Sequence, residues 1–348
     1  MFTEKDLAQL AARGIDPRRV EGQLEAFRTG FPYLEIDRAA VVGDGIVRLE
    51  PEQVQELAAT YGRGVAEGRV AVEKFVPASG AASRMFKELY EFVAEGKDSR
   101  TVEAVWEGIG RFAFYEDLAA LGIDMQDRKA VIGAIVEGEP EEGTGLGLGK
   151  RPKGLIKFHT YPAPEGGRTA MEEHLVEGAL YGGRPARIHF TVSPEHMADF
   201  KRLVAEKMAS LAAKYGAEYR ISYSVQEAAT DTVAVNPDNT PFRAGGADQG
   251  EILFRPGGHG ALIENLNRID ADLIFVKTVD NVVPDHLKGD TVLYKKALGG
   301  MAIELQRQIF SYLKAIASSA SGVDLAEVRR FVEERLCYRF PEGFEPTM

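Results

Sequence analysis

The sequence predicts an α/β fold, one α/β domain with helical additions at both ends, and three observations carry that expectation. Apolar runs near residues 72–76, 155–158, 187–192, 219–225 and 273–276 have the length of strands. Between them apolar positions recur at helical spacing, so strands and helices alternate as they do around a parallel sheet. No internal repeat, heptad run or Ser/Pro linker divides the chain. Its 348 residues, 45% hydrophobic and 27% charged, suffice for one large core or two modest ones.

Residues 1–68 form the first section, a helical cap. Leu7, Leu10 and Ala11 share one face, Val20, Leu24 and Phe27 a second, and Val54, Leu57 and Tyr61 a third, with breaks at Pro32 and at Gly43 to Gly45. The α/β domain is expected over 69–291. Its first strand, 72–76, runs into PASGAASRMFKEL, a small-residue turn followed by an amphipathic helix of Met85, Leu89 and Phe92. Residues 90–138 read as a helical insertion broken at Gly122. Residues 139–153, EPEEGTGLGLGKRPK, alternate glycine so strongly that a mobile loop is expected. A helix over 169–181 and a strand over 187–192 come next. Ser193, Pro194 and Glu195 then supply the N-cap, first position and early negative charge of a long helix to Tyr215. After the strand at 219–225 and a polar excursion at 236–251 comes the stretch that organises the chain, RPGGHGALIENLNRIDADLIFVKTVDN at 255–281. There a glycine loop leads to a short helix whose positive N-terminal end faces the loop. A strand expected to be buried on both faces follows, and then Asp280 and Asn281. Residues 292–348 are expected as C-terminal helices, with Leu298, Met301, Leu305 and Ile309 on one face.

A net charge of −11 and a pI near 5.2 argue against a duplex nucleic-acid partner, which needs a basic face, so phosphate contacts must be local. The single cysteine, Cys337, rules out an internal disulfide and a thiolate metal cluster and fits a reducing compartment. No apolar run approaches about 18 residues, and the start MFTEKDLAQL is charged. No membrane partner and a cytoplasmic location follow as expectations. His174, His189 and His196 fall on separate elements without metal-ligand spacing, which points to structural or surface roles.

Four stretches carry candidate chemistry. After the first strand, Ser79 and the backbone N–H groups of Gly80, Ala81 and Ser83 would face an anion, with Arg84 as a fixed positive charge. The same residues also fit a plain βα turn, and neither a Walker loop nor a G-x-G-x-x-G fingerprint is present. Lys150, Arg151 and Lys153 either deliver positive charge to a strand start or are solvated. Thr230, Asp231 and Thr232 either bind a polar ligand or form a hydrogen-bonded turn. In the organising stretch, Gly257, Gly258 and Gly260 let backbone approach a ligand, with His259 among them. Asp280 projects beyond the carboxyl end of its strand, where open α/β sheets take ligands, and is a candidate metal ligand.

These pieces, in this order, resemble the nucleotide-sugar pyrophosphorylases, the uridylyltransferase branch in particular. VPASGAASRM at 76–85 looks like the family's glycine-rich loop ending in Arg. Pro152 and Lys153 match its Pro-Lys before an apolar strand, Gln226 its Gln near the base, and Pro256 to Gly260 its uridine-binding loop. Val279, Asp280 and Asn281 match the strand end whose Asp holds magnesium. The match spans about residues 70–285. PASGAASRM, TDTVAV and RPGGHGALIENLN are also similar to an uncharacterised bacterial family known only as a domain of unknown function. The resemblance implies a Rossmann-like nucleotidyltransferase fold of the GT-A type, a mixed sheet flanked by helices. It also implies an NTP, with UTP favoured, joined to a sugar 1-phosphate with Mg2+ as cofactor and release of pyrophosphate. Arg84, Lys153 and Asp280 would be catalytic, and Asp280 would bind the metal. Ser79, Gly80, Ala81, Ser83, Gln226, Gly257, Gly258, His259, Gly260 and Asn281 would hold the nucleotide. Two departures stand out. Ala81, Ala82 and Ser83 replace glycine and threonine, and Lys153 follows Arg84 only after the insertion, so either the insertion loops out or Lys87 takes part of that role. The alternative is a non-catalytic nucleotide or sugar-phosphate binder of the same fold.

Overall fold

The computed structural model describes residues 2–80, 82, 85–245, 250–318 and 323–345, with the side chain of His259 set aside. Ala81, Ser83 and Arg84 lie outside the described residues. In chain order the helices are α1 (Glu4–Ala12), α2 (Pro17–Thr29), α3 (Pro51–Ala66), α4 (Lys87–Glu95), α5 (Arg100–Gly108), α6 (Tyr115–Ala120), α7 (Arg128–Val136), α8 (Ala170–Tyr181), α9 (Met197–Tyr215), α10 (Ile263–Asn267), α11 (Lys288–Ala317) and α12 (Leu325–Arg335). Two compact units result, Met1–Phe31 with Val72–Lys288, and Pro32–Ala71 with Gly289–Met348. The helices expected as one amino-terminal cap over 1–68 are thus divided between the units. The segment 292–348 falls in the second.

The first unit is built on a four-stranded sheet of β1 (Val72–Pro77), β2 (Ala186–Thr191), β3 (Tyr219–Ser224) and β4 (Leu273–Val276). The order is β3-β2-β1-β4, and every pairing is parallel, with Val72 opposite Leu273, Lys74 opposite Ile188 and Ile188 opposite Ile221. The expectation of a mixed sheet is therefore corrected. Each connection between these strands is long enough to cross over, which parallel pairing requires. The antiparallel pairs, Lys157–Tyr161 with Gly166–Thr169 and Thr232–Val233 with Phe254–Arg255, form separate two-stranded ribbons. β4 is also an edge strand, paired only with β1 among the described residues, and it is not buried on both faces, since Val276 is half exposed.

Alternation along the strands sorts the two faces. Val76, Ile188 and Phe190 pack with Met171, Leu175 and Val176 of α8 and Phe200 and Val204 of α9 in one apolar core. Helix α8 starts at a reciprocal cap: Thr169 accepts from the Glu172 N–H, and Glu172 accepts from the Thr169 N–H. Leu10, Ile15, Val20 and Leu24 of the first two helices and the turn between them pack on Val233, Ile252 and Phe254. The insertion carries its own core, in which Leu89, Val102, Leu118, Val131, Ile132 and Ile135 are buried.

The glycine-rich segment after that insertion is not the mobile loop expected. Residues 145–149 are buried, and the N–H groups of Leu146, Gly147 and Leu148 donate to the carbonyls of Ala134, Glu137 and Ile135 at 2.7, 2.9 and 3.0 Å. Those carbonyls belong to the end of α7, where a helix has no intrahelical donor left to offer them. A Cβ on Gly145 would collide with the Glu137 carbonyl, and one on Gly149 with the Tyr90 hydroxyl. The glycines serve close backbone approach, a use that composition does not separate from flexibility.

In the second unit Val54 and Leu57 of α3 meet Ala297 of α11, and Gly300 is required because a Cβ there would collide with the Leu57 carbonyl. Among the described residues no strand follows β4, and no helix is long and apolar enough to cross a membrane.

Candidate functional site

From β1 the chain steps outward through β2 to β3, then returns to the opposite side of β1 to form β4. The strand order therefore reverses between β1 and β4, and the carboxyl ends of these two strands flank the crevice where open α/β sheets take ligands. Ser79 and Gly80 follow β1, half-buried and exposed respectively. Asp280 follows β4, after the Lys277 and Val279 N–H groups continue the pairing onto the Phe75 and Pro77 carbonyls at 3.0 and 3.3 Å.

Lys153 reaches the same crevice from the far end of the insertion. Its N–H donates to the Gly80 carbonyl at 3.3 Å, and the Ala82 N–H donates to the Arg151 carbonyl at 3.3 Å, so this segment runs beside the loop after β1. Its ammonium donates to Asp280 at 2.6 Å. That bond holds the Asp280 carboxyl below the usual carboxylate range. The insertion therefore loops out and returns. Lys87, by contrast, is exposed and lies 3.6 Å from Glu91 on its own helix. Gly154 fits because a Cβ there would come within 2.8 Å of the Phe200 ring.

A second group gathers at the end of β3. Gln226 donates to Asp231 at 3.4 Å, and Asp231 is held by Arg13 at 2.7 Å. Gly257 packs against the Thr230 carbonyl, 3.1 Å from where its Cβ would be. Asn265 of α10 ties this loop to the strand, donating to Ser224 Oγ at 2.8 Å and to the Val225 carbonyl at 2.9 Å. Gly258 and Gly260 have no neighbour within 4 Å of a Cβ position. The helix expected to aim its positive end at the loop has only five residues after a 3-10 turn, so its dipole contributes little. Asn281 is exposed in a turn closed by its N–H on the Thr278 carbonyl at 3.1 Å. Adjacent strands lie about 4.8 Å apart, so the ends of β3 and β4 stand roughly 14 Å from each other, with the Gln226 group and the Lys153–Asp280 pair at opposite sides.

What holds Asp280 in place comes from α8, where sequence reasoning assigned no site residue. Glu177, wholly buried, accepts from Lys277 and Lys74, each at 2.6 Å, and from the Tyr181 hydroxyl at 2.8 Å. His174, also wholly buried, meets the Val279 carbonyl with Nε2 at 3.1 Å. A carbonyl only accepts, so Nε2 carries the proton. Burial, reinforced by the Lys74 charge, pushes the imidazole pKa well down, so it is neutral, and Nδ1 is left without a described partner. Glu173 accepts from Lys288 at 2.5 Å and Arg168 at 3.0 Å, and Arg168 donates onward to Asp285 at 2.8 Å. Glu173, His174 and Glu177, on two successive turns of one helix, thus fasten residues 277–288. The signal was present in the sequence: Lys74 and Lys277 interrupt apolar runs, and Glu173 and Glu177 stand four apart on a helix that is otherwise mostly apolar. Arg13 was missed for a different reason, since a lone arginine on an amphipathic helix has no sequence signature.

As a cation site, the crevice offers one carboxylate, Asp280. No cluster of three His, Cys, Asp or Glu side chains occurs among the described residues. Such a donor set fits Mg2+ only where a ligand's phosphate oxygens and water supply the remaining positions, as Mg2+ sites often arrange. No curated protein and no solved structure matches this chain. One family model matches residues 3–348, nearly the whole chain, and the protein belongs to that family, described as Domain of unknown function (DUF4301).

Proposed function

We propose that the chain binds a nucleoside triphosphate, UTP in preference, across the carboxyl ends of the sheet, with its phosphates at β1 and β4 and its base beside Gln226 and the loop at Gly257. The observation that carries this reading is the Lys153–Asp280 pair, 127 residues apart in sequence, meeting at the point where the strand order reverses. In a Rossmann-like nucleotidyltransferase frame, a sugar 1-phosphate oxygen attacks the α-phosphorus, a new P–O bond forms, and the anhydride to the β-phosphorus breaks to release pyrophosphate. Chemistry of this kind rests on positioning and charge neutralisation rather than on a covalent nucleophile. Lys153 offers a positive charge to the phosphates, and the N–H groups of the turn after β1 offer hydrogen bonds. Arg84 and the amides of Ala81 and Ser83 belong to this proposal by sequence alone. Asp280 would hold Mg2+ with the nucleotide's own oxygens, and the ion would neutralise charge developing on the phosphates.

A second reading, a nucleotide binder without turnover, is favoured by one observation. Among the described residues only helices follow β4, so no further strands build an acceptor side. Calorimetric scanning with each NTP, with and without Mg2+, tests the binding that both readings share. UTP with Mg2+ is expected to raise the melting temperature more than ATP does, by the equivalent of about 2.7 kcal/mol at 100 times the dissociation constant. No shift with any nucleotide at millimolar concentration contradicts both readings. Pyrophosphate release on adding sugar 1-phosphates separates them.

A further inference from the structure

Apart from the sheet crevice, a cavity of about 560 Å3 opens between α6, residues 140–155 and the first half of α9, the size of a small-molecule site. Phe114, Leu121, Leu146, Leu148, Leu155 and Leu203 line it. Its wall is fixed, since Leu146 and Leu148 are the residues whose N–H groups hold the end of α7. Two guanidinium groups on opposite walls, Arg151 and Arg202, converge on one carboxylate. Each has a terminal nitrogen near the same oxygen of Glu141, at 3.9 and 3.6 Å. Both separations exceed a hydrogen bond, and the Glu141 side chain is 63% exposed, so this carboxylate is weakly held. Of the other charged groups on the lining, Lys157 is paired with Asp117 at 2.6 Å and Asp199 lies 2.8 Å from Arg202, while Glu206 is exposed.

We propose that this cavity binds an amphipathic anion, with an apolar body among the leucines and a carboxylate or phosphate head between Arg151 and Arg202, in the place the Glu141 carboxylate occupies. The chemistry selects against a sugar, whose hydroxyls would lose their hydrogen bonds to water against Phe114 and the leucines. It also selects against a free inorganic anion, which leaves the apolar lining uncovered. Bidentate arginine geometry suits either head group. The proposal stands independently of the nucleotide reading.

The test titrates decanoate, decyl phosphate, decanol and inorganic phosphate, all below micelle-forming concentration, into the full chain by calorimetry. The same titrations follow with Arg151→Gln, Arg202→Gln and Glu141→Gln. At least one of the two amphiphilic anions is expected to bind wild type tenfold or more tightly than decanol or inorganic phosphate, and the tighter of the two identifies the head group. Either arginine substitution is expected to weaken it about tenfold. Glu141→Gln, which removes the internal competitor, tightens it several-fold. Melting temperatures without ligand control for folding, since Arg202 and Glu141 are exposed and Arg151 is partly exposed. The proposal is overturned if neither amphiphile binds, if decanol binds as well as they do, or if either arginine variant binds like wild type.

Discussion

Glu177→Gln is expected to destabilise the first unit by about 3–5 kcal/mol, the usual result of leaving a buried charge uncompensated. Lys74 and Lys277 are both buried and each donates to Glu177 at 2.6 Å, and a neutral amide at this position brings no charge to balance theirs. Burial alone would raise the Glu177 pKa, but the charge of Lys74, with that of Lys277, reverses that and brings it down to about 2. A carboxyl whose folded pKa lies below its ordinary value of 4.5 contributes stability that is fully present above pH 4.5 and is lost as the pH falls towards 2. Urea denaturation at pH 7 is expected to show the loss, and the gap between wild type and variant is expected to close as the pH is lowered through that window. Adding Lys74→Met to the variant recovers part of the stability, because one buried ammonium fewer remains. An unchanged midpoint at pH 7 would mean that the network is not ionised as drawn.

The second large effect concerns ligand and not fold. Asp280→Asn is expected to weaken Mg2+-dependent nucleotide binding by about 100-fold, on the order of 3 kcal/mol, since no cluster of three metal-ligating side chains stands ready to replace it among the described residues. The side chain is 40% exposed, so stability is expected to change by less than about 1 kcal/mol. Metal-free nucleotide binding should hold steady or tighten, because Lys153 is released from its carboxylate partner. Calorimetry with and without Mg2+ reads both terms. If the variant unfolds, or binds with Mg2+ as well as wild type does, Asp280 is a structural residue.

What the sequence made legible was local. The strands ending at Pro77 and Val276, helix α8 and the helices of the insertion follow from periodicity, and so their positions agree with the structure. Lys153 beside Asp280 was legible as a pair of candidates, but their contact depends on an insertion folding out and back, which no pattern in 90–138 encodes. The parallel pairing of the sheet and the edge position of β4 depend on strand order, a property of the whole chain. The tightly packed glycines at 145–149 misled because alternating glycine reads the same whether backbone must bend freely or must lie against another backbone. The α8 network was read as ordinary helix, since a buried carboxylate is recognised by its distant partners.

Amide hydrogen exchange with and without UTP and Mg2+ bears most directly on the claim that phosphates bind where the strand order reverses. Slower exchange is expected in the peptides that cover residues 78–87, 151–156 and 277–283, with a second protected patch at 226–232 and 256–262. Protection confined to other segments, such as α6 and α9, or no protection at saturating nucleotide, would contradict it.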